Sequence, residues 1–201
     1  MKFDYPDWST IHHKHWDVII NNNIDVTKSL IVIEVGCFEG RSTIWFADKL
    51  LTNPYSHIYC IDTWEGGEEV KRVKLNFNMD QVKLNFIQNI SLHPRSNQIS
   101  LKQSTSLQGL IDLLPVHKNK VDFIYLDGSH TQKDTLMDLV LALNLIKVGG
   151  MIVVDDYMNN MRTGDVLLRP KHAVDFVVKT FNDEVNFFTT RQKQAVIIRN
   201  K

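Results

Sequence analysis

Short, nearly continuous apolar runs alternate with amphipathic stretches along most of this chain. The runs cover residues 29–35, 56–62, 98–104, 121–127 and 150–156. Strands that are covered on both faces have this composition, so each run predicts a strand of a parallel sheet. The amphipathic stretches cover residues 41–51, 106–114 and 135–146 and predict crossover helices. The pattern therefore predicts an α/β fold with a doubly wound, mostly parallel sheet.

The two ends of the chain depart from this alternation. Pro170 suits a helix start, and the apolar segments "VNFFTT" and "QAVIIRN" that follow flank the turn-like "RQK". These segments predict an antiparallel C-terminal strand pair, which makes a Rossmann-like sheet of about seven strands. Residues 1–28 predict an N-terminal helical cap on a core of residues 29–201, and residues 63–97 predict a helix plus an insertion. No linker or repeat interrupts residues 1–201, so a single domain is expected.

Composition narrows the functional classes. The 201 residues include 23 basic and 23 acidic side chains, so no bulk charge attracts the chain to nucleic acid or anionic membrane. The N-terminus lacks the apolar region of a secretory signal, and no apolar run is as long as a membrane span. Cys37 and Cys60 form neither a disulfide framework nor a metal-binding spacing. We expect a reducing, cytoplasmic location.

A glycine-containing turn, "IEVGCFEGRST", follows the first predicted strand at residues 33–43. It lacks the middle glycine of the dinucleotide motif, because Phe38 stands there, which makes NAD the weaker alternative. An acidic strand residue followed by G-x-x-x-G resembles motif I of the class I S-adenosylmethionine-dependent methyltransferases. The resemblance implies that Gly36 and Gly40 let the backbone approach this cofactor. It also implies that Glu34 contacts the methionine end of the cofactor.

Polar residues at the ends of the next two predicted strands extend this resemblance. Asp62 stands where the family binds the ribose hydroxyls, and a carboxylate accepts well from two neighbouring hydroxyls. Trp64 would pack on the adenine face, or else form part of the core. Ser104 and Thr105 would contact the adenine edge, or else cap the following helix.

Three carboxylates follow the fourth and fifth predicted strands. Asp127 ends one of them, and Asp155 and Asp156 end the other. Neighbouring parallel strands bring such residues to one edge, where their charges repel and raise their pKa values. A divalent cation relieves this repulsion, and an all-oxygen ligand set favours Mg²⁺ over zinc. The sequence therefore predicts a metal site formed by these three residues.

The spacing of these acids resembles the metal-dependent catechol O-methyltransferases. Asp155 follows Asp127 by 28 residues, and Asp156 replaces the Asn of that group. His130 stands three residues after Asp127, where that group has a catalytic lysine. The "DGSH" and "VVDDY" segments are closer to the bacterial sugar and macrolide-sugar O-methyltransferases, including the macrocin type. This resemblance covers residues 30–157 and implies His130 as general base and Asp127 as its metal-binding catalytic partner.

The expected function is methyl transfer from S-adenosylmethionine to a hydroxyl of a small acceptor, with a sugar or glycan favoured. Rival functions are an NAD-dependent oxidoreductase, a non-catalytic binding protein and a nucleic-acid methyltransferase. No N/D-P-P-Y/F motif and no charge excess support the last of these. No membrane partner is expected, and a homo-oligomer is left open.

Two further segments carry suggestive residues. "HHKHW" places His12 and His15 on one helical face, but no further zinc ligands follow at a defined spacing. A solvated helix that borders the acceptor pocket is the favoured interpretation. Residues 158–170 predict a loop over the site, in which Arg162 either contacts substrate or is solvated.

Overall fold

The computed structural model describes residues 1–67, 77–158 and 169–201. The described strands are β1 (Ile31–Val35), β2 (His57–Asp62), β3 (Ile99–Gln103), β4 (Val121–Leu126), β5 (Ile146–Val154), β6 (Val185–Thr189) and β7 (Ala195–Arg199). The described α-helices are α1 (His13–Asn23), α2 (Arg41–Leu50), α3 (Met79–Ser91), α4 (Ser106–His117), α5 (Gln132–Leu145) and α6 (Pro170–Thr180). Arg162 and most of the predicted 158–170 loop lie outside the described ranges.

One sheet carries all seven of these strands, in the order β3-β2-β1-β4-β5-β7-β6. Strands β1 to β5 pair in parallel, and β7 lies antiparallel to both β5 and β6. The predicted Rossmann-like fold with an antiparallel C-terminal pair is confirmed. Strand order reverses at β1, whose neighbours are β2 and β4. Ligands of open α/β sheets bind beyond the carboxyl ends of the strands at such a reversal.

Helices cover both faces of the sheet and explain the continuous apolar strands. One core contains Trp16 of α1, Phe46 of α2 and Phe86 of α3. The other packs α4, α5 and α6 through residues such as Leu110 and Leu139. All six residues of β4 are buried, since this central strand contributes to both cores. Within the described ranges, no helix combines the length and apolar character that crossing a membrane requires.

Helix starts beside the strand ends are set by local side chains. The Thr105 hydroxyl accepts from the backbone N–H of Gln108 at the start of α4, and the Thr131 hydroxyl accepts from Asp134 at the start of α5. Such caps satisfy backbone donors that have no partner within the helix. Pro170 occupies the first turn of α6, as its sequence position predicts. Both cysteines are buried and unpaired.

Candidate active site

A cavity of about 530 Å³ opens at the carboxyl ends of β1 to β4. Its described lining includes Gly36, Asp62, Ser104 and Thr105 at one side. Asp127 and His130 line it at the other side, after β4. The predicted glycine loop, the predicted polar strand ends and the proposed base therefore face one space.

Gly36 lets two strand ends approach each other closely. Its φ is +82°, and a Cβ built there would lie 1.9 Å from the carbonyl oxygen of Asp127. Its N–H donates to Ile61 across the sheet at 2.9 Å. A residue with a side chain would collide with the backbone, so the loop needs glycine for packing as well as for any ligand. Gly40, with φ +86°, instead precedes α2 and lies against the Phe86 ring, and it is not part of the cavity lining.

Asp62 holds the glycine loop in place. Its Oδ2 accepts from the backbone N–H groups of Cys37 and Phe38 at 2.8 and 3.0 Å. Its Oδ1 accepts from the N–H of Trp64 at 2.7 Å. Because Asp62 also lines the cavity, a contact with ribose hydroxyls stays a prediction beside this structural role.

Trp64 lies beneath the loop instead of along the cavity wall. Its side chain is 4% exposed, its indole N–H donates to the Phe38 carbonyl at 3.0 Å, and its ring packs against Phe86. The structure thus supports the core alternative over an adenine platform. Ser104 and Thr105 both line the cavity, and Thr105 also caps α4, so the two interpretations of this segment coexist.

Glu34 is fully buried behind the loop and is not part of the cavity lining. Its two oxygens accept from the hydroxyls of Ser42 and Thr43 at the start of α2, each at 2.5 Å. Burial raises its pKa to about 8, opposed by these two hydrogen bonds and reinforced by Asp127 and Asp62. This placement makes Glu34 a support of the loop–helix junction, which differs from the predicted contact with the methionine end.

This burial predicts a pH-dependent stability. The folded protein keeps a proton on Glu34 up to about pH 8, whereas the unfolded chain loses it near pH 4.5. The free energy of unfolding should therefore fall as pH rises through this window, by at most about 1.4 kcal/mol per pH unit. Glu34→Gln should make the free energy of unfolding depend less on pH in this range. Urea unfolding of both proteins at pH 5.5 and 8 measures it, and parallel pH profiles would contradict the assignment.

Glu34 also forms one of two potential metal-ligating groups among the described residues, together with Cys37 and Cys60. Burial raises the pKa of both thiols as well as that of the carboxyl. Both oxygens of Glu34 already accept from Ser42 and Thr43, and all three side chains are buried behind the loop. We assign this group to the core.

The second group consists of Asp127, His130 and Asp155, whose potential ligand atoms all lie within 4.8 Å of one another. His130 Nε2 is 3.0 Å from Asp127 Oδ1. Burial and the charge of Asp127 raise the pKa of Asp155 to about 6, opposed by His12 and His130. Two carboxylates this close form an oxygen donor pair that fits a divalent cation, and the imidazole lies beside them.

Asp156 takes a different place from the one predicted. Its Oδ2 lies 3.4 Å from Nδ1 of His130, and it is not part of the three-residue group. Its backbone φ is +52° and that of His130 is +55°. Left-handed backbone costs non-glycine residues about 1 kcal/mol or more, so the surrounding fold must enforce both conformations. This contact lets Asp156 orient the imidazole, and its predicted role as a metal ligand stays a prediction.

Contacts from distant segments hold Asp155, and the sequence did not reveal them. Gln194, just before β7, donates to Asp155 Oδ1 at 2.6 Å and accepts from the indole of Trp16 at 2.9 Å. His12 is 9% exposed, and its Nε2 lies 3.8 Å from the same carboxylate oxygen. The prediction of a solvated histidine segment is thus wrong for His12, because its ring stacks on Trp16 in the core. The histidines of this segment form no metal-ligating group among the described residues.

The N-terminal segment adds an aromatic wall that was also missed. Trp8 lines the cavity, is 52% exposed, and has its ring centroid 5.3 Å from that of Phe38. Buried Glu39 anchors this segment, because its carboxylate accepts from the N–H groups of Asp4 and Tyr5 at 2.9 and 3.1 Å. Residues far from the strands in sequence therefore shape the mouth of the site.

A methyltransferase domain family matches residues 33–157. This chain belongs to that family. The match spans the glycine loop, the β2 and β3 ends and all three acids, so the resemblance predicted from these motifs is confirmed. The family assignment also makes the NAD-dependent alternative the weaker one.

Individual relatives are distant. A Dictyostelium discoideum protein described as a probable caffeoyl-CoA O-methyltransferase is 26% identical over 167 residues, which cover 81% of this chain and 62% of that protein. The chain spans about three fifths of the length of the curated relatives it matches.

Solved structures share the fold. The O-methyltransferase TomG of Streptomyces achromogenes, in complex with S-adenosylmethionine, has a TM-score of 0.64 at 14% identity, over 97% of this chain and 82% of TomG. An O-methyltransferase of Bacillus cereus, in complex with S-adenosylhomocysteine, also has a TM-score of 0.64, at 16% identity, over 96% of this chain and 83% of that one.

Proposed function

We propose that this protein transfers a methyl group from S-adenosylmethionine to a hydroxyl of a small acceptor, most favourably a sugar or glycan. The observation that carries this proposal is the group of Asp127, His130 and Asp155, of which Asp127 and His130 line the cavity. The family match and the O-methyltransferase relatives support the reaction class. The "DGSH" and "VVDDY" segments support the sugar acceptor through their resemblance to sugar O-methyltransferases.

S-adenosylmethionine would lie in the cavity beside Gly36. S-adenosylmethionine supplies a methyl group that its sulfonium has already activated, so the protein must orient an oxygen in line with it. Asp127 and His130 line the same cavity as the glycine loop, which brings the proposed base to the side where the methyl group must lie. The half-exposed indole of Trp8 offers a face on which an acceptor ring can pack.

Asp127 and Asp155 would hold a divalent cation, with His130 beside it. Such a cation supplies Lewis acidity, which lowers the pKa of an acceptor hydroxyl. His130 would take the proton of that hydroxyl, with Asp127 beside its Nε2 and Asp156 beside its Nδ1. A base held by a third group in this way matches the general arrangement of an activated nucleophile.

The test is methyl transfer from radiolabelled S-adenosylmethionine to sugars, catechols and caffeoyl thioesters, with Mg²⁺ and after chelation. We expect transfer to sugar hydroxyls that falls by at least about 100-fold with a chelator and returns with Mg²⁺ or Mn²⁺. An unchanged rate of transfer after chelation would contradict the proposed metal requirement. A preference for catechols would contradict the proposed sugar acceptor. Thermal stabilisation by NAD but not by S-adenosylhomocysteine would remove methyl transfer itself.

A further inference from the structure

A buried carboxylate on α5 belongs to the cavity lining. Asp138 is 4% exposed and lines the cavity, and its Oδ1 has no hydrogen-bond partner among the described residues. Its other oxygen, Oδ2, lies 3.9 Å from the position that a Cβ on Gly128 would occupy. Buried polar atoms are nearly always hydrogen-bonded, so an orphaned oxygen that borders a cavity indicates a ligand donor.

The protein itself offers Asp138 little compensation. Burial raises the pKa of its carboxyl to about 7, against a hydrogen bond from Ser106 and with added repulsion from Asp134 one turn earlier. Among the described residues, no Lys or Arg forms an ion pair with it. Leaving a buried acceptor unpaired costs about 1–3 kcal/mol. A hydrogen-bond donor on a bound molecule would recover this energy.

The position of Asp138 indicates which part of the cofactor it would meet. The methyl group must lie near Asp127 and His130, so the rest of the cofactor extends along the strand ends towards β2 and β3. Asp138 lines the cavity together with Ser106 and Leu107 at the start of α4. The side chains of Ile61, Leu107 and Met137 line the same cavity and suit the flat faces of a purine.

We propose that Asp138 accepts a hydrogen bond from the exocyclic 6-amino group of the adenine of S-adenosylmethionine. This carboxylate thereby selects adenine over a purine with an oxygen at that position. The inference rests on the proposed function, because it assigns a residue to the cofactor of that reaction. When Asp138 is ionised, a 6-oxo purine would place a second acceptor against Oδ1 and leave both oxygens without a donor, so the comparison is made at a pH above the carboxyl pKa of about 7.

The experiment compares S-adenosylhomocysteine with its deaminated analogue, S-inosylhomocysteine, by isothermal titration calorimetry. Wild type should bind the adenine compound at least about 100-fold more tightly, since a site built to pair with an amino group rejects its replacement strongly. Asp138→Asn should lower this ratio at least tenfold, because its amide can turn Nδ2 towards the 6-oxo group. Asp138→Leu should weaken binding of the adenine compound and abolish the preference.

Asp112→Asn is the matched control. It removes a carboxylate from α4 that pairs with Lys102 and lies outside the cavity lining. Its preference for the adenine compound should equal that of wild type. A merely structural role for Asp138 would change both affinities together and leave their ratio intact.

Two results would overturn the inference while methyl transfer stands. One is a wild-type ratio near one, which needs no variant at all. The other is an unchanged ratio in folded Asp138→Asn and Asp138→Leu proteins. If wild type bound neither compound, both this inference and the proposed function would fall.

Discussion

Replacing His130 by Asn should lower kcat for methyl transfer by about 10²- to 10⁴-fold, the usual contribution of a positioned general base. Asn tolerates the left-handed backbone that His130 adopts, so the change removes the imidazole with little added strain. The imidazole is 15% exposed, with Asp127 at Nε2 and Asp156 at Nδ1. Initial-rate kinetics with a saturating acceptor measure the loss.

Measuring metal affinity shows whether His130 acts as a general base or as a metal ligand. Titration with Mn²⁺, followed by electron paramagnetic resonance, should give wild type and His130→Asn dissociation constants within about threefold. A fall in affinity of tenfold or more, with activity regained at saturating Mn²⁺, would instead make His130 a metal ligand. His117→Gln is the control, because this histidine pairs with Tyr59 away from the cavity and should leave kcat unchanged.

The order of elements could be predicted because every parallel strand is covered on both faces. In the sequence, such strands are nearly continuous apolar runs, and each run ends at polar residues. Asp127 and Asp155 could therefore be placed on the same edge from the sequence alone, since the carboxyl ends of neighbouring parallel strands meet there. The G-x-x-x-G turn located the strand reversal in the same way.

Which face a strand residue uses could not be predicted from the same pattern. In a strand with one exposed face, alternating polar and apolar residues show which side chains point into the core. Both faces of β1 are covered, so its sequence does not show that Glu34 points into the core. Trp64 raised the same difficulty just beyond β2. Its left-handed φ of +52° turns the indole beneath the loop, and no sequence period encodes that turn.

The contacts around Asp155 were hidden for a different reason. Trp16 and Gln194 are 178 residues apart, yet they share the hydrogen bond that helps to hold this carboxylate. Local patterns report on neighbours along the chain, whereas this pairing depends on how α1 packs against β7. The contact between Asp156 and His130 is similar, since it joins two residues that follow separate strands and that both have left-handed backbone.

Gly36→Ala should destabilise the protein by about 3 kcal/mol or more. Left-handed backbone costs an alanine about 1–2 kcal/mol, and forced overpacking typically adds 1–3 kcal/mol. The colliding atoms are the carbonyl oxygen and carbon of Asp127, at 1.9 and 2.6 Å from the new Cβ, so no side-chain rotation relieves the clash. Relief requires β1 and β4 to separate at their carboxyl ends, which would also move Asp127 and weaken cofactor binding.

Gly149→Ala supplies the comparison that isolates the clash. Gly149 has nearly the same backbone, with φ +80°, but nothing lies within 4 Å of a Cβ built there. The Gly149→Ala variant should lose only the free energy of unfolding that left-handed backbone costs an alanine, about 1–2 kcal/mol. Urea unfolding midpoints for the two variants, with S-adenosylhomocysteine titrations of each, measure both effects. Equal losses of stability in the two variants would mean that the loop accommodates the extra carbon at position 36. The close approach of β1 to β4 would then not explain the glycine there.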